Sequence, residues 1–407
     1  MTKECVWFMK KKMASTVGIL TLCASLAMPV YTVADTVGNQ GWHHDNSISG
    51  FTNYEEMKKQ LQQIEKSSQG NVVVEVVGQS NRGRDIHKVT VGTGEKVILI
   101  ESEIHGNEKT GTEAVLSLLK QIGSSNSPEI QKIREEVTLV FLPKMNPDAS
   151  EMDKRRNDMT WNEILSSFPQ LSDAKPAWNY MDHGISQMYD YGKNPGFDVN
   201  RDFNPDLDYV PEAKDFPGNS SSPGWFITPE AQTVRDVYKS LKEEYGKVDV
   251  FIDLHHQGMY YVEGTADEVT LSLSAQFVPD PNTAAGAKYA KYKDDYNYDF
   301  SRQLNLAAYN ELQSYGNSPF KNISLYSQGL DLPGTALGTF ALNGSGTVLF
   351  EVKGQTQMMG QKKKGQLVKA VERGITGIIE AVADGSVEEL NPEDYEKIPL
   401  TSYSPTN

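Results

Sequence analysis

The chain has 407 residues, 38% of them hydrophobic and 23% charged, with a formal net charge of −15. That is the composition of a globular protein long enough for one large domain or two ordinary ones. The acidic balance argues against a nucleic-acid partner, which requires a basic surface, and against an anionic membrane surface.

The N-terminus carries a processing pattern. Lys10, Lys11 and Lys12 form a positive region, Met13 to Met28 is apolar and uncharged, and Thr32-Val33-Ala34 places small residues ahead of Asp35. This predicts a secretory signal peptide over 1–34, too short in its apolar run for a membrane span. Its removal takes away four Lys and one Glu, moving the net charge from −15 to −18. The expected location is secreted or extracytoplasmic, with no stable membrane insertion after cleavage. The 2 cysteines, Cys5 and Cys23, both lie in this leader. Cysteine zinc sites, thiol nucleophiles and redox motifs are therefore excluded from the mature protein, and any metal must use His and carboxylate.

Residues 35–50 are polar and Gly-rich, and His43-His44 there reads as a solvated pair. Residues 53–68 read as an amphipathic helix, with Asn53 at the N-cap and Glu56 three residues on. Val72 to Val77 and Ile86 to Val91 read as strands, and Gly92-Thr93-Gly94 as a turn. Val97 to Ile100 is an apolar, β-branched run that reads as a buried strand, and Ala114, Val115, Leu118 and Leu119 follow at helical spacing. Between strand and helix stands His105-Gly106-Asn107-Glu108. A His and a Glu three residues apart can point into one space and suit Zn²⁺. Alone this spacing is common and fits an ordinary polar helix start equally well.

Val137 to Leu142 predicts another buried strand, ending in Asn146-Pro147-Asp148. Residues 157–196 read as an aromatic, polar insertion that includes Trp161, Trp178, Tyr180, Tyr189 and Tyr191. Thr228-Pro229-Glu230 opens a helix to about Tyr245, with Thr at the N-cap and Pro at the first helical position. Val248 to Leu254 is a strand ending in His255-His256-Gln257-Gly258. Residues 264–325 form a second excursion, with a helix predicted from Thr283 to Tyr315. A strand over Thr347 to Val352 carries Glu351, a helix spans 361–385, and 386–407 reads as a loose tail.

Alternating strands and helices, with several strands apolar throughout, predict an α/β fold: a mixed, largely buried β-sheet with helices on both faces. The expected organisation is 1–34 leader, 35–50 mature N-terminal segment, 51–385 catalytic domain and 386–407 tail. Three segments rich in His, Asn and acids fall at carboxyl ends of strands, where ligand sites form in such sheets. His105, Glu108 and His255 together supply two imidazoles and one carboxylate. That leaves a fourth position open on zinc, as in a catalytic site. Glu351 is the candidate carboxylate for moving protons, although simple strand alternation between Phe350 and Val352 also accounts for it.

His105-Gly-Asn-Glu108, Asn200-Arg201, Asp253-Leu-His255 and Phe350-Glu351-Val352, in this order, resemble the zinc carboxypeptidase family of carboxypeptidase A, over about residues 50–385. The resemblance implies one Zn²⁺ per chain on His105, Glu108 and His255. It implies that Glu351 is the general base, and that Asn200 and Arg201 grip the free C-terminal carboxylate of a peptide substrate. Asn146-Pro147-Asp148 resembles the family's Asn-Pro-Asp-Gly, with Ala149 in place of Gly. The family's Arg that polarises the scissile carbonyl matches Arg155 by Arg-x-Asn spacing, with Arg156 close behind. Tyr326 matches the Tyr that closes over substrate, across a gapped alignment. Asp-x-His favours His255 over His256 as ligand.

The same resemblance places the pocket for the substrate's terminal side chain along 331–340, with a floor near Thr335 to Leu337. No acid lies there to select Lys or Arg, so a neutral side chain is expected. Two other activities fit these motifs. One is cleavage of cell-wall peptides at D-glutamyl–diaminopimelate bonds within the family. The other is deacylation of N-acyl amino acids, since aspartoacylase-like enzymes also carry His-Gly-Asn-Glu and Asn-Arg. The leader and the Phe-Glu-Val strand favour the peptidase.

Overall fold

The computed structural model describes residues 50–182, 195–316, 320–353 and 360–406. The leader, His43, His44, Tyr189 and Tyr191 lie outside the described residues. The main strands are β1 (Val72–Gln79), β2 (Asp85–Val91), β3 (Lys96–Ser102), β4 (Val137–Leu142), β5 (Val250–Gln257), β6 (Leu271–Ser274), β7 (Ile323–Leu325) and β8 (Gly346–Lys353). They form one 8-stranded sheet in the order β1-β2-β4-β3-β5-β8-β6-β7. The four central strands β4, β3, β5 and β8 run parallel, and β2 and β6 run antiparallel to their central neighbours.

The helices are α1 (Tyr54–Ser67), α2 (Thr110–Ser124), α3 (Pro128–Glu136), α4 (Pro147–Glu151), α5 (Trp161–Ser167), α6 (Pro229–Tyr245), α7 (Tyr298–Ser314), α8 (Ala336–Leu342) and α9 (Gly360–Asp384). The caps act as predicted. Asn53 and Glu56 close a capping box on α1, and the Thr228 side chain caps α6, whose first residue is Pro229.

The central strands are buried on both faces, which is why they read as apolar runs. Ile98 and Ile100 of β3, with Val348 and Phe350 of β8, pack in one cluster with α1, α2, α7 and α9. Val97 and Leu99, with Phe251 and Leu349, pack in a second with α6 and α8. The mixed α/β sheet with helices on both faces is thus present. On the second face Phe340 of α8 stacks on Tyr238 at 4.0 Å and meets Phe251 edge-on at 4.7 Å. Such pairs add about 0.5–1.5 kcal/mol each beyond their buried area, and these pin α8 against β5.

Two segments differ from expectation. The 264–325 excursion contributes β6 and β7 to the sheet, and its helix begins at Tyr298 rather than Thr283. Leu271-Ser-Leu-Ser274 and Ile323-Ser-Leu325 are too short and too polar to stand out as strands in sequence. Residues 386–406 are built into the fold through two short 3-10 turns and a strand, Thr401–Ser402, with Tyr395 and Ile398 buried.

Candidate active site

The strand periodicity that fills the core also builds the site. Val97, Leu99 and Glu101 of β3, Phe251, Asp253 and His255 of β5, and Leu349 and Glu351 of β8 share the parity that faces α6 and α8. Register then brings the polar members together: Glu101 pairs with Asp253, and Glu351 with His255. His105 and Glu108 come from the loop between β3 and α2. Asn200 and Arg201 lie in a 3-10 turn that Asp198 caps through Asn200 N. His105, Glu108, Asn200, Arg201, His255, Leu349 and Glu351 line a cavity of about 370 Å³ whose lining also includes Arg155, Tyr326, Phe277 and Leu332.

The ligand atoms of His105, Glu108 and His255 lie within 4.8 Å of one another. His255 Nδ1 stands 3.0 Å from His105 Nδ1 and 2.8 Å from Glu108 Oε2, and His105 Nδ1 is 3.1 Å from Glu108 Oε1. The outer nitrogens fix the tautomers. His105 Nε2 meets Asp198 Oδ1 at 3.1 Å, and His255 Nε2 meets Asp253 Oδ2 at 2.8 Å. Asn200 Nδ2, 3.0 Å from His255 Nε2, donates to Asp253 Oδ2 at 3.2 Å. With the outer carboxylates accepting, each imidazole donates outward and turns its Nδ1 lone pair inward. Two lone pairs and a carboxylate then face one point. Zinc takes imidazole nitrogen and carboxylate oxygen at about 2.0–2.2 Å, which places neighbouring ligand atoms at close to these separations. The donor set therefore fits Zn²⁺, with the outward carboxylates in the orienting role usual for metal-bound His.

The neighbouring charges complete the arrangement. Arg155 donates from Nε and Nη2 to Asp198 Oδ2 at 3.0 and 2.9 Å, and from Nη1 to His105 Nδ1 at 3.1 Å. Burial raises the Asp198 carboxyl, but Arg155, His105 and Arg201 outweigh it and hold it well below its usual range. Burial pushes Glu351 up to about 8. His255 and Arg155 pull against that rise, and Glu108 and Asp253 reinforce it. Burial and the facing Asp253 raise Glu101 well above the carboxyl range, so a Glu101 proton can bridge to Asp253 behind His255. Burial lowers Arg201, which is offset in part by Asp198.

Each residue singled out in the sequence can now be placed. His105, Glu108, His255, Arg155, Asn200, Arg201, Tyr326 and Glu351 all line the one cavity. Arg156 is buried but does not line it. His256 is not turned towards the inward-facing set. Its Nε2 accepts from Thr110 N at 3.0 Å, at the start of α2, and its backbone N donates to Glu108 Oε2 at 3.1 Å. Asn146-Pro147-Asp148 stands apart: Asn146 caps α4 and donates to Ile104 O at 3.0 Å, while Asp148 pairs with Arg84. Thr335 to Leu337 do not form the pocket floor. They are buried at the start of α8, and Ala336 N donates to Asn200 Oδ1 at 2.9 Å. The apolar wall is instead Phe277, Leu330, Leu332 and Leu349. Asp198, Asp253 and Glu101 were passed over in sequence. Asp253 belongs to the Asp-x-His motif and Asp198 stands two residues before Asn200, so the rule that metal-bound His carries an outer carboxylate points to both.

The profile of the zinc carboxypeptidase family matches residues 57–332. A zinc carboxypeptidase from Simulium vittatum is 29% identical over 119 residues, covering 27% of this chain and 39% of that protein. One from Saccharothrix mutabilis subsp. capreolus is 26% identical over 155 residues, covering 35% of each. The chain thus matches only about two-fifths or less of the length of these relatives. Among solved structures, bovine thrombin-activatable fibrinolysis inhibitor in complex with tick carboxypeptidase inhibitor superposes with a TM-score of 0.52 at 12% identity, covering 84% of this chain and 98% of that one. That likeness concerns the fold. Among the described residues, no helix is long and apolar enough to cross a membrane. With a family profile running from α1 past β7, and a donor set that suits the family's metal, the chain belongs to the zinc carboxypeptidase family.

Proposed function

We propose that this protein is an exported zinc metallocarboxypeptidase that removes the C-terminal residue of peptides bearing a free carboxylate. The observation that carries this reading is the contrast between its two site arginines. Arg155 is paired with Asp198 and Glu108. Among the described residues Arg201 has no carboxylate within ion-pair distance, and its Nη1 donates only to the adjacent Asn200 O at 2.6 Å. Partly buried in the cavity wall and drawn by Asp198 only beyond ion-pair distance, this guanidinium can take a substrate carboxylate, which matches its planar fork. The leader around Lys10 to Met28 supports export.

In this reading His105, Glu108 and His255 hold the ion. A bound Zn²⁺ supplies Lewis acidity, lowering the pKa of a water to roughly 7 and polarising the scissile carbonyl. Glu351 takes the proton of the attacking water and delivers it to the leaving amine. A buried carboxyl beside the attacked carbonyl can accept the water's proton and return it within one turnover. Arg155 Nη1 faces the same space and donates to the oxyanion as it forms. Arg201 and Asn200 bind the terminal carboxylate, Tyr326 covers it, and the wall of Phe277, Leu330, Leu332 and Leu349 receives an apolar side chain.

The test is a matched pair of peptides ending in Phe, one as the free acid and one as the amide. The free acid should be cut and the amide spared, and Arg201→Ala should remove most of that difference. Equal cleavage of both by the wild type refutes carboxypeptidase action. Cleavage of N-acyl amino acids with peptides untouched points to the deacylase chemistry instead.

A further inference from the structure

One side of the cavity mouth is held by a segment that lies far outside the family motifs. Thr401 and Ser402 pair antiparallel with Val262 and Tyr261. Leu325 N donates to Pro399 O at 2.7 Å, and Glu263 N donates to Leu400 O at 2.9 Å. The Thr401 hydroxyl lies 2.7 Å from Leu325 O and 2.7 Å from Ser324 Oγ. This C-terminal arm therefore ties the turn after β5 to the end of β7. Tyr403 then reaches both rims of the mouth. Its ring meets Tyr260 edge-on at 4.8 Å, and its hydroxyl is 3.0 Å from Ser327 Oγ.

Tyr260 and Ser327 both line the cavity, but they come from different segments. Tyr260 has little room to move inward. Its ring lies over Gly258, where an added Cβ would sit 3.1 Å from the ring carbons. The ring thus packs against both Gly258 and Tyr403. Ser327 follows Tyr326, whose phenol is raised above its usual range by Glu351, burial, Tyr260 and Tyr403. Tyr403 itself remains 66% exposed, so it contributes little to the core.

We propose that Tyr403 is a positioning residue for substrate: by bracing Tyr260 against Gly258 and bonding Ser327, it sets the width of the cleft mouth and so how tightly the peptide's C-terminal residue is held. This rests on the peptidase reading above. Tyr403 touches none of the reacting groups, so its effect falls on binding rather than on the chemical step.

Steady-state kinetics with benzoyl-Gly-Phe and amide hydrogen exchange test it together. Tyr403→Ala should raise KM about five- to tenfold with kcat within about twofold, the scale of one aromatic contact and one hydrogen bond. Exchange should rise in 258–263 and 326–330 and not in the core strands. Tyr403→Phe keeps the ring and loses the hydroxyl, so its exchange should rise only in 326–330, with a smaller change in KM. Unchanged KM in an active Tyr403→Ala enzyme overturns the inference whatever the exchange shows, as does a fall confined to kcat. A wild type that releases no Phe overturns the peptidase reading instead. Exchange then decides alone: a rise in both segments supports the brace, and an unchanged pattern overturns it.

Discussion

Asp198→Asn should cost this protein about 10–100-fold in zinc affinity, the usual effect of losing a partner that orients a metal-bound His. That range is about 1.4–2.8 kcal/mol, and the geometry places the expected value at its upper end. Asp198 spends both oxygens: Oδ1 faces His105 Nε2 at 3.1 Å and accepts from Asn200 N at 3.1 Å, while Oδ2 accepts from Arg155 Nε at 3.0 Å. An asparagine has one oxygen. If it faces His105, its NH₂ confronts the Arg155 donors. If it faces Arg155, its NH₂ meets His105 Nε2 and favours the tautomer with a proton on Nδ1, where the metal must bind. Either orientation breaks one of the two links. Titration of the apo protein with Zn²⁺ against a chromophoric chelator measures the loss, with circular dichroism confirming the fold. Adding Arg155→Met to Asp198→Asn relieves the donor clash. Affinity should then recover in part, because the oxygen is free to face His105. Affinity within twofold of wild type in Asp198→Asn would refute the claim that this carboxylate orients the ligand.

His255→Ala should lose zinc, whereas His256→Ala should retain it with a destabilised start of α2; metal analysis of the two variants that gave the reverse would exchange their roles. Glu351→Gln should bind zinc as the wild type does and lose about 10²–10⁴-fold in kcat, the share typical of positioned proton transfer; a comparable kcat places the base elsewhere. Glu230, buried beside Asn157, has its carboxyl pushed up to about 7 by burial, so the folded state binds its proton more tightly than the unfolded state. Its stability contribution is therefore full below about pH 4.3 and is lost as pH rises through about 7, a change of order 3 kcal/mol by about pH 8. Glu230→Gln should flatten the fall in Tm between pH 5 and pH 8, leaving the part due to Asp202, which is also raised to about 7; an identical slope in both proteins would contradict this.

The parts legible in the sequence are those where one local signal decides the structure. Val137 to Leu142 is a strand over the predicted residues because five of its six residues are apolar, Thr138 is β-branched, and a run this short suits a strand buried on both faces. Helix α6 starts where Thr228 and Pro229 specify it. Ordered motifs at strand ends likewise brought His105, Glu108 and His255 to one place, since parallel strands present their carboxyl ends on one edge. Contacts that join distant segments could not be read this way. The apolar wall combines Phe277, Leu330, Leu332 and Leu349 from three separate segments. Leu332 falls in the expected 331–340 stretch and Leu349 adjoins the Phe350-Glu351-Val352 motif, but Phe277 and Leu330 carry no signal in the sequence. The arm over 386–406 looked loose because its anchors, Tyr395 and Ile398, are single apolar residues among acids and prolines. A gapped alignment placed the pocket floor at Thr335 to Leu337, but the first turn of α8 spends its Ala336 N–H on Asn200 instead.

The two halves of the cavity are built to different tolerances, and this follows from how each is held. The metal side is braced by buried charge. Lys144 Nζ pairs with Glu103 at 3.0 Å and donates to Ser150 Oγ at 2.7 Å, while Lys109 Nζ donates to Gly106 O at 3.0 Å and to Ser150 O at 2.6 Å. Glu103 and Lys144 both adopt left-handed backbone, with φ of 56° and 51°, a conformation costing a non-glycine residue roughly 1–2 kcal/mol. Gly106 packs so closely that a Cβ would lie 2.2 Å from the Ala149 carbonyl carbon. A loop so constrained cannot drift, and ligand atoms held near their bound positions lose little freedom when the ion binds. The substrate side is held by hydroxyls and ring edges at the surface, from Tyr260, Ser327 and Tyr403. Contacts of that kind are individually worth about 1 kcal/mol and yield more easily. If the protein acts as proposed, hydrolysis at one metal needs fixed ligands, whereas successive peptide ends differ in shape. Under the proposed function, the division of rigidity in this fold matches the division of labour between holding the ion and admitting the peptide.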